Sequence, residues 1–423
     1  MFQKFIRRTI FSLLRHSPSS IRDYFCRSRL NIPTMPHDIV FDIAKGQQDL
    51  DQAFQLLHDA YVKEGYSKPH ASRRRITYYH ALPSTTTLAA RCQGQIIATV
   101  SIIRDGHFGL PADAVMDLSR YRGRNERLGE VSSLAIKPEF RGRSGEVMFY
   151  LFKYLYHYSR TYFGLDRFVI VVNPNRITLY ESIILFKPLH RSAIKSYGFA
   201  NNAPAVCATL NLIKAPQRWR QAYEGKPLNK NIYRFFTDPF RRDEREQMHF
   251  PERPFFTAMD PVMTPEVMDY FFNQCTDGMC RLEEHQIGIL KSIYSEKEYT
   301  AIWPSFEKRA WQNKRAERRF DVDCPGERLH QSQPPVSLRV MDASRQGIRV
   351  CSTVPLDANT DAMIRISVGD EKTVIVKAKM KWHAGLMYGL EILQAGHLWG
   401  QFIDYLDNQL SNPNRSRPLA AAC

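Results

Sequence analysis

The spacing of apolar residues in the first half of the chain predicts alternating helices and strands. In residues 49–66, Phe54, Leu57, Ala60 and Tyr61 recur at the period of a helix with one buried face. Elsewhere, alternating or continuous apolar runs predict a hairpin, three further strands and a long aromatic-rich helix. The hairpin covers residues 86–105, and the helix covers residues 146–163. The three strands cover residues 127–136, 167–174 and 203–212. A helix between two central strands indicates an α/β fold.

The second half of the chain has a different pattern. Residues 214–304 are rich in charged residues, proline and aromatic side chains, and they predict a helical extension and linker. Within this segment, residues 239–256 predict an exposed connection, whereas residues 263–275 and 282–294 predict helices. Short strands then follow one another and a helix closes the unit, which is typical of a small β-barrel. These strands and the helix cover residues 337–340, 347–352, 362–368, 373–383, 388–393 and 396–406.

The patterns divide the chain into five segments. Its 423 residues are too many for one ordinary domain. We expect an α/β domain with a mixed sheet flanked by helices, followed by an all-β six-stranded barrel. The segments are a basic amphipathic N-terminus (1–36), the α/β domain (37–213), the helical extension and linker (214–304), the barrel (305–410) and a disordered tail (411–423).

Composition restricts the partners and the compartment. The chain has 59 Lys and Arg against 43 Asp and Glu, and the resulting charge of +16 favours anionic partners. Because no recognised nucleic-acid reader motif accompanies the charge, no nucleic-acid partner is predicted. The eight cysteines form no C-x-x-C pair and lack zinc-ligand spacing with histidine. They predict no metal site and a reducing, cytoplasmic compartment.

The N-terminus carries an amphipathic pattern. Residues 1–16 place six apolar side chains along one helical face: Phe2, Phe5, Ile6, Ile10, Leu13 and Leu14. Four cationic residues lie beside or opposite this face: Lys4, Arg7, Arg8 and Arg15. Such a helix either contacts an anionic membrane surface, here the inner membrane, or docks on the protein's own core. Both interpretations stay open. No apolar run approaches the roughly 20 residues of a membrane span.

A strand followed by an Arg- and Gly-rich turn and a helix start predicts a phosphate site. In "EVSSLAIKPEFRGRSG" (130–145) the helix N-terminus would present free N–H groups. The stretch resembles the acyl-carrier-binding segment of the GCN5-related N-acetyltransferase (GNAT) superfamily. Arg141 fits the first position of its motif, whereas Ser144 and Glu146 occupy the two small-residue positions. The resemblance implies that the acyl-pantetheine arm contacts Leu134, Ala135, Ile136, Arg141, Gly142, Arg143 and Asn173.

A second match lies further along. Asn173 precedes Tyr180 with the spacing of the family's next segment, in which the tyrosine often protonates the leaving thiolate. The resemblance therefore implies that Tyr180 is a general acid. The alternative is that Tyr180 is a half-buried aromatic residue that packs its helix on the sheet.

Three stretches resemble one branch of this superfamily. "LPSTTTLAARCQGQIIATVSIIRDGHFGLPADAV", "LGEVSSLAI" and "NNAPAV" are similar to FeeM-like N-acyl amino acid synthases, relatives of the acyl-homoserine lactone synthases. Glu130, Ser132 and Ile136 match a Glu-x-Ser-x-x-x-Val/Ile pattern shared with the latter. The resemblance covers roughly residues 40–213. It implies that an amino acid's α-amine attacks the thioester of a long-chain acyl carrier protein, whose phosphopantetheine is the donor group, and that no cofactor is required.

The implied chemistry assigns roles to several residues. Because an ammonium group must lose a proton before it attacks, Glu130 is expected to act as a base. The alternative for Glu130 is an ion pair with Arg122, Arg124 or Arg127. Asp105, Ser132 and Asn202 are expected to shape the amino-acid pocket. A basic surface would attract the acidic carrier protein, and its candidate residues are Arg73, Arg74, Arg75, Arg141 and Arg143.

The barrel segment carries a two-part motif. Arg315 and Arg319 precede Asp342, Ser344 and Gly347, and together they resemble the PilZ signature RxxxR followed by [D/N]xSxxG. PilZ domains bind cyclic di-GMP, so the resemblance implies that the arginines bind phosphates and guanines. Asp342 and Ser344 would contact guanine edges and phosphate, and Gly347 would permit close backbone approach. The alternative is a barrel that has lost the ligand.

These readings combine into one leading hypothesis, an acyltransferase that makes N-acyl amino acid lipids under cyclic di-GMP control. A second hypothesis is a non-catalytic cyclic di-GMP effector whose transferase-like domain only binds carrier protein, lipid or a protein partner. A third, an acyl-homoserine lactone synthase, fits less well because those enzymes are short and lack a PilZ partner.

Overall fold

The computed structural model describes residues 18–106, 108–190, 193–260, 263–294, 297–303, 317–329, 334–352, 354–356 and 361–411. The predicted amphipathic residues 1–16 and the predicted tail after residue 411 lie outside these ranges. The helices are α1 (Ser19–Ser28), α2 (Gly46–Lys63), α3 (Ser119–Arg122), α4 (Ser144–Thr161), α5 (Ile177–Leu179), α6 (Ala215–Tyr223), α7 (Ile232–Thr237), α8 (Arg242–Gln247), α9 (Pro265–Asp269), α10 (Glu284–Ile293) and α11 (His397–Ser411). The strands are β1 (Ile39–Ile43), β2 (Thr85–Cys92), β3 (Gln95–Arg104), β4 (Leu128–Ile136), β5 (Arg167–Val172), β6 (Lys187–Pro188), β7 (Ile194–Tyr197), β8 (Ala203–Asn211), β9 (Phe320–Leu329), β10 (Val336–Ala343), β11 (Gly347–Cys351), β12 (Ala362–Gly369), β13 (Lys372–Ala384) and β14 (Met387–Ala395).

Strands β1–β8 form one mixed sheet. Their order is β1-β2-β3-β4-β5-β8-β6, and β7 pairs with β8. Strands β4 and β5 are parallel, and α4 supplies the crossover that a parallel pair requires. The predicted α/β domain with a mixed sheet flanked by helices is confirmed.

The sheet separates two apolar clusters. On one face, which we call the helix face, Tyr154 of α4 and Trp219 of α6 pack against the strands. On the other face, which we call the barrel face, Phe54 of α2 belongs to a cluster that continues to Val340 and Ile348 inside the barrel. The two halves of the chain therefore share one apolar core.

Strands β9–β14 form a closed antiparallel barrel in the order β10-β11-β14-β13-β12-β9, as the described residues show it. The prediction of an all-β six-stranded barrel is confirmed. Strand β9 was not among the predicted strands, because Pro325 and Gly326 interrupt its apolar pattern. A Cβ at Gly326 would lie 2.8 Å from Leu338 Cδ1 and 3.0 Å from the Arg365 carbonyl oxygen, so close packing explains the glycine.

The prediction that residues 239–256 form an exposed connection is wrong for much of this segment. Phe255 is buried, and Glu244 forms a buried ion pair with Lys153 at 2.7 Å. The Arg253 guanidinium lies 4.8 Å from the centre of the Tyr162 ring. Arg242 and Glu246 remain exposed, so the prediction fails where Glu244, Arg253 and Phe255 pack against the rest of the structure and holds elsewhere.

A buried ion pair joins the two domains. Arg127, which directly precedes β4, places Nη2 2.6 Å from Asp166 Oδ1 and Nη1 2.5 Å from Asp323 Oδ2. Asp323 lies on β9 of the barrel and also pairs with Arg339. Because all three groups of the Arg127 cluster are largely buried, losing one partner would leave an uncompensated charge.

Gly164 allows this contact, and replacing it tests how tightly the domains pack. Its φ is +58°, and a Cβ there would lie 1.7 Å from Asp323 Oδ2. Gly225 has a φ of +73° with no atom within 4 Å of its Cβ position, so it is a matched control for backbone strain alone. We expect Gly225→Ala to cost about 1 kcal/mol and Gly164→Ala to cost about 2 kcal/mol more, measured by urea unfolding. Equal costs would mean that the domains do not meet as described.

Candidate active site between splayed strands

Strands β4 and β5 separate part-way along their length. They pair from Leu128 opposite Arg167 to Val131 opposite Ile170, and no pairing follows although β4 continues to Ile136. On its other edge β4 contains a bulge, because Ser132 opposes Ser101 and Ala135 opposes Thr99. A bulge bends its strand and strengthens the local twist, which accounts for the gap.

Ser133 sits at the centre of this bulge. It is buried and has a φ of +55°, a left-handed conformation that costs a residue other than glycine about 1–3 kcal/mol. Such strain persists where the surrounding structure over-determines it, and it clusters at functional sites. The bulge therefore marks the gap as a candidate active site.

A cavity of about 690 Å³ passes through the gap. Its walls include Phe149, Phe152 and Ile184 from the helix face and Tyr61 and Phe199 from the barrel face. The lining is mainly apolar, with a few polar groups near the bulge. Such a space suits an elongated substrate with a long apolar part and one reactive group.

Glu130 lies at the cavity on the barrel face. Its side chain is 2% exposed, and its Oε2 accepts a hydrogen bond of 2.7 Å from the Ala112 N–H. Burial raises the pKa of Glu130 to about 8, although the bond from Ala112 opposes this shift. No ion pair to Glu130 occurs among the described residues; Arg122 and Arg127 bind aspartates instead. The carboxyl can therefore exchange a proton near neutral pH.

Three phenols surround the gap. The Tyr197 hydroxyl is buried without a hydrogen-bond partner among the described atoms, and its proximity lowers the pKa of Glu130. Burial and, to a smaller extent, the Glu130 charge raise the pKa of Tyr61, and Tyr61 in turn contributes to the raised pKa of Tyr180. Burial raises the pKa of Tyr180 to about 12, so this phenol stays protonated and remains a donor. Tyr180 lies with the helix-face residues, in a π-turn (Tyr180–Ile184) that continues α5.

The structure brings half of the predicted pantetheine and acceptor residues together. Leu134, Ala135, Ile136, Asn173 and Ser132 all line the same cavity as Glu130 and Tyr180.

Two predicted acceptor residues lie elsewhere. Asp105 binds Arg122 at 2.6 Å and is not part of the cavity wall. Asn202 has a φ of +60° and accepts a hydrogen bond from Ser196, in the turn that carries Phe199 and Ala200 to the wall. Neither side chain lines the cavity, so their role in the amino-acid pocket stays a prediction.

The predicted phosphate site is the N-terminus of α4. The side chains of Arg141 and Gly142 lie outside the described residues. Arg143 binds Asp38 at 2.7 Å and Glu146 at 2.7 Å, so its charge already has two partners. Gly145, in the first turn of α4, lines the cavity. The role of this turn in donor binding stays a prediction.

The predicted basic surface at 73–75 is partly neutralised. Arg73 pairs with Asp59, and Arg74 pairs with Asp51. Arg75 has no carboxylate partner among the described residues. It stacks on the Tyr61 ring at 4.7 Å and donates a 2.7 Å hydrogen bond to the Phe199 carbonyl. Arg75 therefore fixes two walls of the cavity.

The barrel motif also forms a compact cluster. Asp342 is buried and pairs with Arg319 and, at 2.7 Å, with Arg349. The Ser344 N–H and hydroxyl both donate to the Gly347 carbonyl, at 2.8 and 3.3 Å, and close the turn. Arg315 lies outside the described residues, so only four of the five motif positions can be placed.

Gly347 is required by its neighbours. A Cβ at this position would lie 2.6 Å from Arg319 Nη2 and 3.2 Å from the Leu390 carbonyl oxygen. The glycine therefore allows the arginine to lie across the turn, beside Asp342.

A parallel strand pair parts at a bulge here, with a buried carboxyl on one face of the sheet and a phenol on the other. Residues 52–211 match the family model described as the N-acyl amino acid synthase FeeM. This match assigns the segment to the acyltransferases. No curated protein matches the chain.

Several solved structures are similar to this chain. FeeM, an N-acyl amino acid synthase from uncultured soil microbes, is 25% identical and has a TM-score of 0.37, over 42% of this chain and 93% of FeeM. The acyl-homoserine lactone synthase LasI is 14% identical with a TM-score of 0.32, over 41% and 90% of the two chains. BjaI, a CoA-dependent acyl-homoserine lactone synthase, is 15% identical with a TM-score of 0.31, over 45% and 90%.

Two kinds of feature are absent from the described residues. They contain no group of three or more side chains that could hold a metal ion. None of the helices in the described part of the chain has the length and apolar character that crossing a bilayer requires.

Sequence reasoning missed several groups of the site. Tyr61 and Tyr197 come from segments that carry no motif, and the Ala112 N–H is a backbone group. Arg349, which pairs with Asp342, was also missed. Its place on β11 two residues after Gly347 is the sequence signal that could have identified it.

The raised pKa of Glu130 predicts a pH-dependent stability. A carboxyl whose folded pKa is about 8 and whose ordinary value is 4.5 adds stability below pH 4.5 and loses it as pH rises towards 8. We therefore expect the free energy of unfolding of the wild type, relative to Glu130→Gln, to fall between pH 4.5 and 8 and to stay level above pH 8. Urea unfolding across this range measures the difference. A constant difference would show that Glu130 titrates normally.

Proposed function

We propose that this protein transfers a long-chain acyl group from acyl carrier protein to the α-amine of an amino acid, giving an N-acyl amino acid lipid. The observation that carries the proposal is Glu130, a buried carboxyl with a pKa of about 8 at the point where β4 and β5 part. The gap suits an extended phosphopantetheine arm, and the apolar cavity behind it suits a long acyl chain.

Glu130 acts first, as the base. It takes a proton from the acceptor ammonium, and the neutral amine attacks the thioester carbonyl. Backbone groups of β4 beyond Val131 have no strand partner on the β5 side, so N–H groups there stabilise the developing oxyanion. The C–N bond forms, the C–S bond breaks, and the nitrogen loses a second proton. One proton ends on the thiol and the other leaves through Glu130 to water.

Tyr180 stabilises the leaving thiolate. With a pKa of about 12 it is a weaker acid than a thiol of pKa about 8.5, so full proton transfer to sulfur is unfavourable. A hydrogen bond from the phenol to the departing sulfur costs no such transfer. Tyr180 is therefore proposed as a hydrogen-bond donor to the sulfur, in place of the general acid that the resemblance implies.

The enzymatic proposal is tested with a long-chain acyl carrier protein and mixed amino acids, with the lipids detected by mass spectrometry. We expect Glu130→Gln to lower kcat about a hundredfold or more, because it removes the base. Tyr180→Phe should lower kcat about tenfold, the effect of one lost hydrogen bond. Wild-type activity should rise with pH up to about 8 as Glu130 loses its proton, whereas Glu130→Gln should lack this rise.

Glu298→Gln is the control, because Glu298 is an exposed carboxylate outside the matched segment 52–211 and does not line this cavity. It should retain wild-type activity. If Glu130→Gln turned over as fast as Glu298→Gln, Glu130 would have no role as a base.

We further propose that cyclic di-GMP binds the barrel and regulates the transferase. Arg319 and Arg349 converge on one buried aspartate, and the glycine at 347 leaves room for a guanidinium above the turn. Arginine suits a guanine nucleotide, because its planar fork binds phosphate and stacks on purine rings. Binding would exchange the Arg319–Asp342 ion pair for contacts with the nucleotide.

Strand β9 supports the coupling of this site to the transferase. It begins at Phe320, directly after Arg319, and Asp323 on the same strand holds Arg127. Arg127 directly precedes β4, which carries Glu130. A shift of Arg319 on nucleotide binding would therefore reach the strand that carries Glu130 through one strand and one ion pair.

Isothermal titration with cyclic di-GMP tests the regulatory proposal. We expect Arg319→Ala to weaken binding about tenfold to a hundredfold, because a hydrogen bond to a charged group contributes about 1.5–3 kcal/mol. Arg345→Ala is the matched control: Arg345 lies on the same turn but is exposed and pairs with Asp404 of α11. Absence of heat with the wild type, or equal binding by both variants, would contradict the proposal.

We also propose peripheral contact with the inner membrane, which suits a lipid product. Residues 1–16 lie outside the described residues. Helix α1, which follows them closely, exposes Ile21 and Tyr24 by 56% and 76%. Exposed apolar side chains beside a basic segment favour an anionic membrane surface.

A further inference from the structure

The helix-face part of the cavity has one wall from outside the transferase segment. Its described lining residues lie between Ala60 and Ala205, with the exception of Phe236 on α7. This helix belongs to the extension beyond residue 211, where the FeeM family match ends. The extension therefore contributes a wall residue that the matched domain lacks.

Phe236 lies at the end of the cavity remote from the start of α4. Gly145, in the first turn of α4, lines the opposite part, whereas Tyr156 on the same helix contacts Phe236 with ring centroids 5.4 Å apart. At a rise of 1.5 Å per residue these two positions on α4 are about 16 Å apart. If the pantetheine arm enters near the α4 N-terminus, Phe236 faces the far end of the acyl chain.

The Phe236 ring is fixed rather than adaptable. It is 3% exposed and stacks on Trp219 with centroids 4.8 Å apart and an interplanar angle of 23°. Phe235 meets it edge-on at 5.1 Å. Close-packed rings of this kind cannot move aside without losing their contacts, so a longer ligand would meet a rigid wall.

The extension also holds the wall beside Phe236. The Trp219 Nε1–H donates a 2.8 Å hydrogen bond to the Ile184 carbonyl, and the Tyr223 hydroxyl donates a 2.7 Å bond to the Ile183 carbonyl. Ile183 and Ile184 line the cavity from the π-turn that carries Tyr180. The same extension therefore positions the reaction end and closes the apolar end.

We propose that Phe236 sets the length of the acyl chain that this enzyme transfers. The inference rests on the proposed acyl transfer for its donor. An apolar chain that stops at the Phe236 ring fills the cavity, whereas additional methylenes have no space. A single methylene in an apolar pocket typically changes kcat/KM by about tenfold or more, so one ring at the end of the cavity is enough to select a length.

Chain-length competition measures this role. The enzyme is given lauroyl- and palmitoyl-acyl carrier protein together, and the two N-acyl products are quantified. We expect Phe236→Ala to raise the palmitoyl-to-lauroyl ratio of kcat/KM by about tenfold or more, because it removes the wall. Phe236→Trp, which enlarges the side chain, should shift the ratio in the opposite direction. Ile232→Val is the matched control, since Ile232 is buried on the same helix but does not line the cavity.

A second readout does not need turnover. Free fatty acids from octanoate to octadecanoate are titrated by calorimetry into the wild type and the variants, and the chain length of tightest binding should increase in Phe236→Ala and decrease in Phe236→Trp. If the wild type makes no amide but these optima shift, the proposed function fails and the length-setting role stands. If amide forms and neither variant moves the product ratio or the optimum, the role of Phe236 is overturned.

Discussion

The separation of β4 from β5 is the feature on which the active site depends. A paired sheet has no space between adjacent strands, because their hydrogen bonds hold them about 4.8 Å apart. Here the pairing ends at Val131, and the bulge around Ser133 bends β4 away. The resulting gap is where the cavity crosses the sheet. It also places Glu130 on one face and Tyr180 on the other along the same cavity.

The apolar clusters explain why that gap can be held open. Without a strand partner, the edges of β4 and β5 are supported from both sides by packed residues, from Phe152 on the helix face to Tyr61 on the barrel face. Arg75 adds to this support by stacking on Tyr61 and bonding to the Phe199 carbonyl. The barrel extends the same core, and its Asp323 holds the start of β4 through Arg127. The proposed sensor and the active site are therefore parts of one packed structure.

Local patterns were sufficient for most of the secondary structure. The helix predicted at 49–66 is α2, the hairpin at 86–105 is β2 and β3, and the barrel strands after residue 336 lie where alternation placed them. Strand β9 was missed because Pro325 and Gly326 are poor strand residues in isolation. The charges of residues 239–256 predict exposure, because a side chain such as Glu244 gives no local sign of a buried partner 91 residues away.

The sequence by itself determined the two domain types, the motif residues and their order, because the period of apolar side chains and the spacing of motif residues are local properties. It identified Glu130, Tyr180 and the turn from Asp342 to Gly347 as candidates for function. Only the tertiary structure decided that burial raises the pKa of Glu130, that Arg127 meets Asp323, and that Phe236 lines the cavity. Each of these depends on groups that are distant in the chain and become neighbours only when the sheet, the extension and the barrel pack together.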